Sequence, residues 1–226
     1  MRRPAVVIPS LGRPHLGVCL EFLKGHDWDD LHIIQEGKSW PEAVNIGLSR
    51  VHAGQDVILM DDDIFLTPET FKNVPRHPTD SAIFGFKLWF PDGTLQHAGG
   101  EWNGQGIRHR FYQEEDRGQA DQMLEVPHVT TSLCYITAQA LEILKGMATD
   151  YPGMQFEDVD FCFRAIKAGI PIVYTPGPAV HMESASKKHL PLFNTRMAMN
   201  QIELGKRYLQ DPEFVAKLES FSKVPA

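Results

Sequence analysis

Short apolar runs alternate with longer stretches whose apolar positions recur every three to four residues, and this pattern governs residues 5–60. The run at 6–8 is closed by Pro9-Ser10-Leu11-Gly12 and predicts a strand. Pro14 suits the first turn of a helix, and Leu16, Leu20 and Leu23 follow at helical spacing before Gly25. Residues 31–34 predict a second strand. Pro41 opens a second helix, with Ala43, Ile46 and Val51 among its core candidates, and residues 57–60 predict a third strand. A β-α-β-α-β order dictates parallel strands joined by right-handed crossovers.

The pattern then changes. Residues 82–90 are apolar and aromatic, and Pro91-Asp92-Gly93-Thr94 is a turn by its own chemistry. Residues 99–122, rich in Gly, Gln and charge, predict a mobile loop. Residues 129–137 predict a strand, and 139–145 a helix that ends near Gly146. Residues 157–167 read as a helix with an apolar stripe of Val159, Cys162, Phe163 and Ile166. Asp160 and Arg164 are spaced for an ion pair on its exposed face. A strand over 170–174, a rigid turn at Pro176-Gly177-Pro178 and a helix over 195–209 complete the prediction. No linker divides the chain. The expectation is one α/β domain over 1–226 with a mostly parallel central sheet flanked by helices.

The 226 residues are 42% hydrophobic and 23% charged, as in soluble globular proteins. The net charge of −7 argues against a nucleic-acid partner. Three widely spaced cysteines, Cys19, Cys134 and Cys162, lie in apolar surroundings and read as core thiols in a reducing compartment. The first apolar run is too short for a signal-peptide core, and no stretch is long enough to span a bilayer. A cytoplasmic protein, able to work at a membrane surface, is expected; the oligomeric state is not readable.

The richest chemistry lies at Asp61-Asp62-Asp63, directly behind the apolar run Val57-Ile58-Leu59-Met60. Ligands bind at the carboxyl ends of strands in open α/β sheets. If the chain stays extended, Asp61 and Asp63 point the same way and can hold a hard divalent cation. The competing reading is a solvated acidic turn. His26, Asp27, Asp29 and Asp30 are also metal-like in composition but sit in a polar loop and read as surface.

Four passages, in order, resemble the family-2 glycosyltransferases of GT-A fold, with features of the rhamnosyltransferase-like members. They are Val6-Val7-Ile8-Pro9-Ser10-Leu11-Gly12-Arg13-Pro14; Glu42-Ala43-Val44-Asn45-Ile46-Gly47-Leu48 followed by Val57–Asp63; Pro91-Asp92-Gly93-Thr94-Leu95-Gln96-His97-Ala98-Gly99-Gly100; and Phe156–Arg164, with Ala168-Gly169 and then His181, Ser184 and Ser186. The resemblance implies an inverting, metal-dependent transfer of a sugar from a UDP-, dTDP- or GDP-sugar to a hydroxyl of a glycan or other acceptor. It implies a nucleotide-binding part over about 1–100, an acceptor part over about 101–190 and a helical tail over about 191–226.

It also implies roles. Asp61, Asp63 and His181 would bind the metal, Mn²⁺ in preference to Mg²⁺ because an imidazole joins the carboxylates. Asp158 would be the general base, with Glu157 as the alternative or as an acceptor-orienting group. Pro9, Ser10, Gly12, Arg13, Glu36, Asn45, Asp61 and Asp62 would contact the nucleotide. Trp89, His97, Trp102 and Thr131 would shape the acceptor pocket, and Lys187 and Lys188 would close over the diphosphate or stand as a solvated pair. A nucleotidyltransferase is the rival enzyme, but Pro9–Pro14 holds one glycine and one arginine, poor in the glycines and positive charge a triphosphate needs. A non-catalytic carbohydrate-binding relative is the third reading.

Overall fold

Val6, Val7 and Ile8 have no exposed surface, because β1 (Ala5–Pro9) runs through the middle of the sheet and is covered on both faces. It pairs in parallel with β2 (Asp30–Ile34) on one side and β3 (Val57–Met60) on the other. The intervening helices are α1 (Pro14–Leu23) and α2 (Trp40–Arg50), as their apolar spacing predicts. The computed structural model describes residues 2–74, 81–152, 155–182 and 192–221. Ser184, Ser186, Lys187 and Lys188 lie outside the described residues.

The sheet continues through β10 (Leu133–Ile136), β5 (Ile83–Trp89), β11 (Ile172–His181) and β4 (Ile64–Leu66), in the order β2-β1-β3-β10-β5-β11-β4. β10 is antiparallel to both β3 and β5, so β5 and its parallel partner β11 run in the same direction as β1, β2 and β3. Only β10 and β4 on this path run against that direction. Alternate residues feed two cores. Val6, Ile8, Ile58 and Met60 pack with Cys19 and Leu23 of α1. Val7, Val57 and Leu59 face α2 and the helices α3 (Ala138–Leu144) and α4 (Glu157–Lys167). All three cysteines are buried and unpaired, as expected.

Four expectations are corrected. Residues 99–122 form no open loop: β7 (Gly100–Trp102) and β8 (Ile107–His109) make a hairpin, and the following segment is tied down. The buried Lys87 ammonium reaches Asp116 at 3.0 Å and Asp121 at 2.5 Å, Trp89 Nε1 donates to Asp116 at 2.8 Å, and Tyr174 donates to Ala120 O at 2.7 Å. The strand expected over 129–137 is confined to β10, because Thr137 instead caps α3.

Pro176-Gly177-Pro178 does not end a strand. β11 passes through it with a bulge between Thr175 and Pro178. Gly177 is needed there because a Cβ would stand 1.9 Å from Thr70 O. Asp160 is not on an exposed face: it is buried, and besides Arg164 (2.8 Å) it accepts from the hydroxyls of Tyr151 (2.9 Å) and Tyr208 (2.7 Å). Tyr208 ends α5 (Phe193–Tyr208), so this carboxylate docks the C-terminal helices, α6 (Pro212–Phe221) included, onto α4.

Candidate active site

The chain leaves β3 at Met60, and residues 61–63 turn rather than extend. Asp61 N still bonds Ser132 O on the neighbouring segment (2.8 Å), and β4 begins at Ile64. Asp61 and Asp63 therefore share a side through a turn, not through strand alternation. The antiparallel pairing of β4 with β11 sets Ile64 opposite His181 and brings Met182 N to Asp63 O (3.1 Å). Ligand atoms of Asp61, Asp63 and His181 consequently fall within 4.8 Å of one another.

Each member of the trio is held by a neighbour. Trp40 Nε1 donates to Asp61 Oδ1 at 2.9 Å. His181 Nδ1 meets Gln96 Oε1 at 2.6 Å and its Nε2 lies 3.2 Å from Asp63 Oδ1. Burial pushes the Asp61 carboxyl up to about 6, and the Asp63 charge adds to this against the pull of His181, Ser132 and Trp40. Burial acts on Asp63 too, but the hydrogen bond and charge of His181 outweigh it and hold that carboxyl below its usual value. Two carboxylates and an imidazole converging in a partly desolvated place, with one carboxyl already strained toward neutrality, fit a divalent cation.

His181 lines a cleft of about 840 Å³ whose walls also include Gln96, Ser132, Thr130 and Asp158. Asp158 stands in the first turn of α4, where helix polarity favours a carboxylate, and its Oδ1 accepts from Val159 N at 2.8 Å. Its Oδ2 lies 3.2 Å from His128 Nε2. Burial alone would raise this carboxyl; His128, and more weakly His109 and the Val159 N–H, bring it below the ordinary range. Asp158 and His181, the imidazole of the trio, thus border one cavity.

Residues 15–199 match the family described as glycosyltransferase like family 2. The chain belongs to that family. Over 147 residues it is 29% identical to the uncharacterized protein y4gI of Sinorhizobium fredii, which covers 60% of this chain, whereas the chain spans only 16% of that protein's length. Among solved structures it is similar to the catalytic domain of Drosophila beta1,4galactosyltransferase 7 in complex with xylobiose. There the TM-score is 0.53 at 12% identity, over 86% of this chain and 73% of the other. It is also similar to GalNAc-T7 with UDP, GalNAc and Mn²⁺, with TM-score 0.58 at 11% identity, over 80% of this chain and 44% of the other. These likenesses establish the GT-A fold.

In this family-2 chain the residues expected at the nucleotide divide into two groups. Ser10 Oγ donates to Asp62 Oδ2 (2.6 Å) and accepts from Gly12 N (2.9 Å), so the β1 loop is tied to the acidic turn. Gly12 has φ +70°, a conformation that favours glycine, and Arg13 follows as the residue before α1. Pro9 closes β1 beside them. Asn45 and Glu36 are elsewhere engaged. Asn45 clasps the backbone of Met147 through both amide atoms (2.7 and 2.8 Å), and Glu36 pairs with Arg50 on the exposed side of α2.

The acceptor residues divide likewise. His97 is buried beneath the cleft, with Nδ1 2.7 Å from His109 Nδ1, and burial drives its pKa well below the usual value. Thr131 is buried between the cleft-lining Thr130 and Ser132. Trp89 turns to Asp116, and Trp102 packs into the main core beside a second small cavity lined by Phe156, Phe163 and Leu204. Those two indoles do not border the cleft. Glu157, half-buried next to Asp158, starts α4. Trp40, Gln96, Ser132 and His128 touch the site and were not anticipated. Gln96 alone had a signal, lying within a family-like passage.

Proposed function

We propose that this chain is an inverting, metal-dependent glycosyltransferase that moves a sugar from a nucleotide-sugar donor to an acceptor hydroxyl, in glycan or polysaccharide synthesis. The supporting observation is the convergence of Asp61 and Asp63 on His181, which lines the same cleft as Asp158. The imidazole among the carboxylate ligands favours Mn²⁺ over Mg²⁺. Bound there, the cation would supply positive charge to the departing diphosphate.

The protein's own groups do the rest. Pro9, Ser10, Gly12 and Arg13 on the loop after β1, and Asp62 in the acidic turn to which Ser10 ties that loop, would seat the nucleotide. Asp158 takes the proton of the attacking hydroxyl, which its ionised state permits. Glu157 orients the acceptor from the same helix end, while the β7–β8 hairpin walls the cleft through Glu101, Arg108 and His109 and limits water. Among the described residues no helix is long and apolar enough to cross a membrane. The buried free thiols suit a reducing compartment, and we place the activity in the cytoplasm. The test is release of nucleoside diphosphate from a panel of UDP-, dTDP- and GDP-sugars with Mn²⁺. Asp158→Asn should abolish release while nucleotide binding persists; retained release contradicts the assignment of the base.

A further inference from the structure

His128 is 1% exposed, and neither of its ring nitrogens meets a hydrogen-bond partner of good geometry among the described residues. An imidazole so placed is costly unless it serves a charge. The carboxylate Oδ2 of Asp158 stands 3.2 Å from its Nε2, and the other carboxylate oxygen is already held by Val159 N–H at 2.8 Å. The rings of His97 and His109 pack edge-on against the imidazole, at 5.7 and 5.9 Å between centroids.

Resting on the reading of Asp158 as base, we propose that His128 is its positioning residue. His128 Nε2 stays within ion-pair reach of Oδ2 while Val159 N–H holds Oδ1, so both oxygens of this cleft-lining carboxylate are constrained. As the acceptor O–H bond breaks and its oxygen bonds the anomeric carbon, the proton passes to a carboxylate oxygen of Asp158. The diphosphate leaves with the electron pair of the broken glycosyl bond, and His128 keeps its own proton throughout. The role differs from catalysis: His128 touches neither reactant.

Removing the imidazole should also free Asp158 to protonate at higher pH. The other groups near the pair are Glu157 on the same turn, His97 and His109, Arg110 after β8, and the thiols of Cys134 and Cys162. Burial pushes both thiols far above neutrality, so they stay uncharged through the working range. His109 favours the Asp158 anion as His128 does.

The experiment compares wild type, His128→Phe, His128→Asn and His128→Gln, each checked for a cooperative melt. It combines carbon-detected NMR titration of the Asp158 carboxyl with the pH profile of nucleoside diphosphate release from the best nucleotide sugar of the panel. In His128→Phe and His128→Asn the carboxyl should titrate about one unit higher, and the acid limb of kcat should rise with it. That limb is the loss of activity as pH falls through the Asp158 pKa. In the same two variants kcat should drop about tenfold or more, with the donor KM unchanged. His128→Gln, which keeps an N–H at similar reach, should recover most of kcat. An unmoved titration and limb in either folded variant overturns the proposal. If Asp158→Asn is inactive in that case, only the role of His128 fails; if Asp158→Asn stays active, the base assignment fails and takes this inference with it.

Discussion

His181 Nδ1 lies 2.6 Å from Gln96 Oε1, a carbonyl oxygen that accepts the ring proton and leaves Nε2 facing Asp63. A side chain from β6 (Leu95–His97) thereby fixes the ring orientation of a residue 85 positions away. Such partners behind a ligand tune metal affinity by about 10–100-fold. Gln96→Leu should weaken Mn²⁺ binding by that factor in calorimetric titration while leaving the melt cooperative. Wild-type affinity would show that His181 is oriented without it.

Asp160 anchors the C-terminal helices from inside the core. Breaking a buried, fully bonded charge costs about 3–5 kcal/mol. Asp160→Ala should lose stability of that order in urea unfolding, because Arg164 and the hydroxyls of Tyr151 and Tyr208 lose their acceptor together. A loss below about 1 kcal/mol would mean that the helices dock by apolar contact alone.

How far these relationships were legible depends on their range. The strands β1 and β3 and the helices α1, α2 and α4 were readable because each is a local run or a local period, and the acidic turn was readable because it follows an apolar strand. The bulge in β11 was not, since Pro176-Gly177-Pro178 has turn chemistry and only the approach of Thr70 O shows why glycine sits mid-strand. Asp160 looked solvated because its tyrosine partners lie 9 and 48 residues away. Asn45 sat in a family-like passage, yet its partner is a backbone 102 residues on. His128 carried no local pattern at all; its meaning comes from meeting Asp158.

Lys87 is buried, and its charge is met by Asp116 and the more exposed Asp121. Lys87→Ala should cost about 3 kcal/mol, leaving Asp116 in a partly buried place without its cation. Burial opposes ionisation of Asp116, but the Lys87 ammonium and the N–H groups of Gly118 and Trp89 outweigh it and hold the carboxyl below its usual value. A depressed carboxyl stabilises the fold above its unfolded pKa, and this contribution fades as pH falls through the folded one. The melting temperature of the wild type should therefore fall below about pH 4, and the fall should be shallower in Lys87→Ala.

Gly177→Ala would place a methyl against Thr70 O, on the stretch of β11 that leads to His181. Overpacking of this kind costs about 1–3 kcal/mol and sometimes more. Chemical unfolding should show that loss, with weaker Mn²⁺ binding alongside as His181 shifts. A neutral substitution would contradict the close approach of the two segments.

The most direct test of the central claim is the melting temperature with Mn²⁺ and a nucleoside diphosphate (UDP, GDP or dTDP), measured on wild type and on Asp63→Ala. At a hundred times its dissociation constant a ligand stabilises by about 2.7 kcal/mol. For a chain of this size that is a rise of about 5–10 °C. The account predicts such a rise in wild type, dependent on both the cation and the nucleotide, and its loss in Asp63→Ala. No rise with any of the three nucleotides, or an equal rise in the variant, would contradict it.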